Sequence, residues 1–246
     1  MNIRFTPSRR ARAIAGSLLL AAGLGLPQAA HAAEGEELVS LVLVDRLEYQ
    51  TNEGNDLVLW DAQGWIGGDI NKFWVKTEGE YLLDGDQFEE AQFQGLYSRA
   101  ISSFWNLQAG IRHDIKPGPS RTFGVAGVQG LAPQWFEVDA AAFVSEDGDI
   151  EARVETEYDL LVTQRLIIQP RAELNFAAQD VEEYDIGAGL STAELGLRLR
   201  YEIKRELAPY IGVSWTRSVG RTADFARGNG EDVSSTSLVA GVRLWF

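Results

Sequence analysis

Glu151, Arg153, Glu155, Glu157 and Asp159 occupy every second position of one short run, and Glu194, Arg198, Arg200 and Glu202 share one parity in another. Successive strand side chains point to opposite sides, so charges at that spacing share one face. Asp61, Lys76, Glu78, Glu80, Arg112, Glu137, Asp139, Arg171, Glu173 and Arg243 are expected on the same side in neighbouring runs. Two chemistries suit such a face. Its carboxylates could gather hard divalent cations, which prefer oxygen ligands, with Glu78, Glu80, Glu155, Glu157 and Asp159 as candidate ligands. Alternatively, acids and bases pair into a structural network of Lys76, Glu151, Arg153, Arg171, Glu173, Glu194, Arg198, Arg200, Glu202 and Arg243. The abundance of bases favours the second.

His113, next to Asp114, is the histidine of the main body; the other, His31, lies near the N-terminus. The pair is a candidate metal site, but two ligands do not make a cage. A polar residue at a strand end is the plainer reading. The chain has no cysteine, and Met1 is its one methionine. Disulfides and thiolate metal sites are excluded. One histidine without a recognisable nucleophile beside it gives no hydrolytic constellation. No enzymatic activity is expected.

The elements that carry these residues read as strands. Alternating runs near 38–49, 57–66, 72–82, 88–97, 105–114, 121–130, 135–144, 150–160, 166–177, 193–203, 207–217 and 236–246 are separated by Gly, Asp, Asn, Pro and Ser clusters. Opposite the charges stand Ile150, Ala152 and Val154 in one run and Leu195, Leu197, Leu199 and Tyr201 in another. Apolar residues at i, i+2, i+4 would scatter around a helix. In 121–130 and 88–97 the alternation does not fix a register. Segments of this length cross a membrane when tilted, and the last one, LVAGVRLWF, ends on an aromatic, Phe246. The expectation is an all-β, transmembrane antiparallel β-barrel of outer-membrane type with about twelve strands.

Three further features agree. Residues 1–12 hold Arg4, Arg9, Arg10 and Arg12 and no acid, followed by an apolar run from Ala13 to Leu26 and the tripeptide Ala30-His31-Ala32. This is the layout of a secretory signal peptide over 1–32, leaving 33–246 as one barrel domain in the outer membrane. The two longest connections, 177–192 and 217–235, both follow odd-numbered strands and so fall at one end, as outward loops should. Trp60, Tyr81, Trp105, Phe123, Phe136, Tyr158, Trp215 and Phe246 sit near strand ends, where interfacial aromatics belong. The net charge of −14 argues against nucleic acid and favours cations, or lipopolysaccharide bridged by divalent ions, beside the surrounding lipid.

Several strings extend the reading. VDRLEYQ (44–50), WIGGDINKFWVKTEGE (65–80), LYSRAI (96–101), LQAGIRHD (107–114), VQGLAPQWFEVDAAAF (128–143), EYDLLVTQRLIIQPRAELN (157–175), ELGLRLRYEIKRELAPYIGVSW (194–215), GRTADFARGNGED (220–232) and VAGVRLWF (239–246) resemble the copper resistance protein B family. The resemblance runs from about Leu38 to Phe246. It implies an outer-membrane barrel tied to copper tolerance, with copper as the metal and a periplasmic copper oxidase as a candidate partner. Phe246 is then the signal read by the barrel-assembly machinery. Family members commonly carry a Met- and His-rich segment ahead of the barrel, suited to copper through thioether and imidazole ligands. Here the first strand starts soon after the expected cleavage site, so the chain reads as a barrel-only member.

Overall fold

The computed structural model describes residues 38–51 and 56–246. The expected signal peptide over 1–32, His31 included, and most of the first outward connection lie outside the described residues. No described helix is long and apolar enough to cross a membrane.

The chain instead crosses with strands: β1 (Val39–Thr51), β2 (Leu57–Gly67), β3 (Asn71–Leu82), β4 (Gln87–Ala100), β5 (Trp105–Lys116), β6 (Arg121–Ala132) and β7 (Phe136–Ser145). After them come β8 (Ile150–Glu157), β9 (Leu160–Leu161), β10 (Leu166–Ala177), β11 (Gly189–Tyr201), β12 (Leu207–Ser218) and β13 (Ser234–Trp245). Consecutive strands pair antiparallel, and β13 pairs with β1, so the sheet closes. Short β9 continues the crossing begun by β8, giving twelve crossings. The interruption has a local cause: Pro170 on β10 has no N–H to donate at that point of the ladder. Its carbonyl still accepts the Tyr158 N–H at 3.2 Å.

The burial pattern is inverted relative to a water-soluble core. Leu238 is 64 % exposed and Ile111 60 %, whereas Glu48 is 1 % exposed and Arg198 2 %. An apolar outer face and charged interior are what lipid demands of a closed barrel, in which every backbone group pairs within the wall. The turns at the β2–β3, β4–β5, β6–β7 and β11–β12 junctions are short, and both long connections sit at the opposite end. By that asymmetry the short-turn end, which carries Leu38 and Phe246, faces the periplasm.

The outer end holds a helix that the alternating pattern did not suggest, α1 (Gly220–Asn229). It ends at Gly230, whose φ of 78° fits the left-handed cap that glycine adopts without strain. Gly187 donates to Thr222 Oγ1 at 2.9 Å, and Arg221 pairs with Asp180 at 2.9 Å, tying α1 to the β10–β11 connection. From that connection Tyr184 donates to the Pro119 carbonyl at 3.1 Å, and its ring lies 3.8 Å from the Arg121 guanidinium. The outer mouth is therefore laced from several sides.

Candidate functional site: an ion-paired lumen

The lumen is built from the inward parity of the strands, and one irregularity sets its centre. In β1 the register skips Asp45: Val44 faces Ala62 on β2, and Arg46 faces Asp61. This bulge turns consecutive residues to one side. Before it Val42 is exposed; after it Leu47 and Tyr49 are. Asp45, Arg46 and Glu48 thus all reach the interior. None was expected there from strict alternation. The sequence carries no clear signal for the bulge, because Leu41, Val42, Leu43 and Val44 are apolar on both parities ahead of Asp45.

Arg46 closes a ring of alternating charges. Its Nη2 lies 3.5 Å from Glu78 Oε1. Glu78 Oε2 accepts from Arg153 Nη1 at 2.6 Å, and Arg153 Nε is 3.4 Å from Glu173 Oε1. Glu173 Oε2 accepts from Arg171 Nη2 at 2.6 Å. Arg171 Nη1 donates to Glu194 Oε1 at 3.2 Å, and that oxygen lies 3.6 Å from Arg46 Nη1. Three arginines and three glutamates form one circuit through β1, β3, β8, β10 and β11. Strands β3 and β8 are five positions apart in a wall of twelve crossings, so the circuit crosses the lumen. Arg46 also reaches Asp61 at 3.2 Å, and Arg171 reaches Glu155 at 2.8 Å and Glu157 at 3.3 Å. Removing ions from water is costly, and mutual neutralisation with satisfied hydrogen bonds offsets that cost.

Around the ring, the remaining expected members are also paired among the described residues, except Glu202. Arg198 clasps Glu48 with two bonds of 2.8 and 3.1 Å, and Lys76 meets Asp139 at 2.5 Å. Arg121 meets Glu151 at 3.1 Å, Arg200 meets Asp159 at 2.5 Å, and Arg243 lies 2.7 Å from Asp45. Gln169 donates to Glu157 at 2.9 Å. Glu202 lines the inner mouth. Glu80 sits inward on β3 opposite Glu90, with no ion pair among the described residues.

Two expectations change. His113 and Asp114 point to opposite faces, because neighbouring positions of a strand must. His113 is exposed and approaches Thr122 Oγ1 at 3.0 Å, while buried Asp114 accepts two bonds from Arg112 at 2.7 and 2.6 Å. They do not form a metal pair. Phe123 is not an interfacial aromatic: at 1 % exposure it packs inside with Leu96, Val125 and Phe143. Arg112 lies over both rings, at 4.9 Å from Phe123 and 4.7 Å from Phe143. Apolar residues on both faces of this sector explain why the registers of β4 and β6 could not be read from alternation.

Toward the short-turn end, beyond the ring, lies a cavity of about 380 Å³. Asp45, Asp61, Glu78, Glu137, Asp139, Glu155 and Glu157 line it against Lys76, Arg153 and Arg243. Acids outnumber bases in this lining, with Arg46 and Arg171 of the ring behind Asp61, Glu155 and Glu157. Among the described residues, no three of His, Cys, Asp and Glu converge as a preformed metal site. Five of the expected metal ligands, Glu78, Glu80, Glu155, Glu157 and Asp159, are thus lumenal residues, four of them held by ion pairs or hydrogen bonds.

The family profile described as copper resistance protein B precursor (CopB) matches residues 38–246. The copper resistance protein B homolog of Pseudomonas syringae pv. tomato is 45 % identical over 88 % of this chain and 73 % of its own length. Copper resistance protein B of Escherichia coli is 44 % identical over 88 % of this chain and 72 % of its own length. Among solved structures, the NanC porin superposes with a TM-score of 0.56 at 14 % identity, covering 83 % of this chain and 98 % of that one. At that identity the likeness concerns the fold.

Proposed function

The chain belongs to the copper resistance protein B family, and we propose that it serves copper tolerance as a closed barrel whose acid-lined cup holds cations on the periplasmic side. The observation that carries this reading is the circuit from Arg46 through Glu78, Arg153, Glu173 and Arg171 to Glu194. It neutralises itself across the lumen, and on its short-turn side the cavity is lined by seven acids against three bases. A cation entering from the short-turn end meets an acid-lined cup with the ion-paired ring behind it.

The donor set decides which copper ion fits. Soft Cu(I) prefers thioether, thiolate and imidazole ligands. The lumen described here offers carboxylates and amides, and His113 faces outward. Cu(II) binds oxygen donors ahead of the other first-row divalent ions, so the cup favours Cu(II) over Mg(II). Holding is diffuse, since no convergent ligand set exists among the described residues. This role needs no catalysis. Phe246 acts in assembly, and lipid and lipopolysaccharide surround the wall.

Calorimetry of the folded barrel with Cu(I), Cu(II) and Mg(II) tests the reading. Saturable heat with Cu(II), weaker heat with Mg(II) and none with Cu(I) is expected. No heat with either copper state removes the cation-holding role and leaves a structural barrel.

A further inference from the structure

A second cavity, of about 190 Å³, opens at the short-turn end. Bases outnumber acids in its lining, unlike that of its neighbour. Arg200, Arg205 and Arg243 line it with Glu202, and Leu41 and Trp245 contribute an apolar side. Arg200 is 2 % exposed. Its Nη2 is held by Asp159 at 2.5 Å, but its Nη1 is buried without a hydrogen-bond partner among the described residues. A buried guanidinium donor without an acceptor is an unusual and costly arrangement.

Arg205 is positioned rather than paired. It sits in the β11–β12 turn, and its carbonyl accepts the Trp245 indole N–H at 2.6 Å. That bond fixes the turn against the end of β13. Its guanidinium has no ion pair among the described residues. Arg243 already leans on Asp45 at 2.7 Å. Spare donors thus remain on Arg200, inside, and on Arg205, at the rim, beside Arg243, whose Nε is ion-paired with Asp45 but makes no hydrogen bond among the described residues.

We propose that this pocket binds a small organic carboxylate. Planar guanidinium donors match a carboxylate in geometry and charge. The carboxylate satisfies Arg200 Nη1 and Arg205, and a short carbon body lies against Leu41 and Trp245. The cavity has the volume of about six liquid waters, enough for an acid of a few carbons. This site goes beyond the cation cup and does not depend on whether the lumen is sealed or holds copper.

The test is calorimetric titration of the purified full-length barrel with butyrate at low ionic strength, with inorganic phosphate as the probe that lacks a carbon body. Folding of each variant is checked by its heat-dependent gel mobility. Saturable butyrate binding at about 1 mM, tighter than phosphate, is expected, weakened about tenfold in Arg205→Gln and further in Arg200→Gln. Arg205→Gln keeps the test decisive if Arg200→Gln misfolds, because Arg205 is an exposed turn residue. No saturable butyrate binding to the unaltered barrel, phosphate binding as tightly as butyrate, or unchanged affinity in Arg205→Gln would each overturn the proposal.

Discussion

Arg153 on β8 and Glu78 on β3 meet at 2.6 Å although their strands stand on opposite sides of the barrel wall. Sequence separation of 75 residues and five wall positions make this a contact through the lumen, not along the sheet. Each partner is held a second time, Arg153 by Glu173 and Glu78 by Arg46. The pair is one side of a circuit, so its loss is felt around the ring.

Arg153→Gln should destabilise the barrel by about 3–5 kcal/mol, because Glu78 and Glu173 would be left with excess negative charge away from bulk water. The double variant Arg153→Gln/Glu78→Gln should recover part of that loss. Urea unfolding in lipid vesicles, followed by tryptophan fluorescence, reads both. Strictly additive losses would show that the two residues do not interact.

The bulge at Asp45 makes a sharper demand on chain length than on chemistry. Asp45→Ala should fold, since Arg243 is the ion partner it loses among the described residues. Deleting Asp45 removes the extra residue and forces one half of β1 to turn its side chains to the wrong face. The deletion variant should lack the heat-modifiable gel mobility of a folded barrel. A folded deletion variant would mean that the bulge does not set the register.

Gly79 lies on the outer face, buried beneath the Trp60 ring that sits opposite it on β2. A Cβ there would collide with that ring and with the Glu90 carbonyl oxygen. Trp60 also packs edge-on against Phe88 at 6.0 Å and donates to Thr77 at 3.3 Å. Gly79→Ala should cost about 1–3 kcal/mol by overpacking and shift the Trp60 emission. An unaltered spectrum would show that the indole does not rest on the glycine.

At the outer mouth, Tyr184 bridges the β10–β11 connection to Arg121 and Pro119. Tyr184→Ala should change global stability by less than about 1 kcal/mol, since the contact is exposed. It should speed proteolytic cleavage within 178–188 on intact cells. Unchanged cleavage would mean that the connection is held by Asp180 and Asp185 without the tyrosine.

Much of the wall was legible because lipid and lumen enforce a strict period of two. Ile150 against Glu151 and Leu199 against Arg198 leave no second register. The same rule failed where its premise failed. At Asp45-Arg46 a bulge reverses the parity, which hid Arg46 and Glu48, two of the most buried charges. Around Leu96, Phe123, Val125 and Phe143 the lumen is itself apolar, so alternation carried no contrast. The charged residues of the site were visible as a set, but the pairing of Glu78 with Arg153 was not, because partner choice depends on where the closed wall brings distant strands. Helix α1 was missed in a connection read only for its turn residues, although Ala223, Ala226 and Gly230 carry a helical spacing and cap.

The proposed cation cup requires that the ring of Arg46, Glu78, Arg153, Glu173, Arg171 and Glu194 close the lumen behind it. Planar-bilayer conductance of the purified barrel tests it most directly. The unaltered protein should be electrically silent, with conductance appearing in Arg153→Gln/Glu78→Gln at matched insertion. Stable ohmic channels from the unaltered barrel, with conductance unchanged in the double variant, would contradict a sealed lumen.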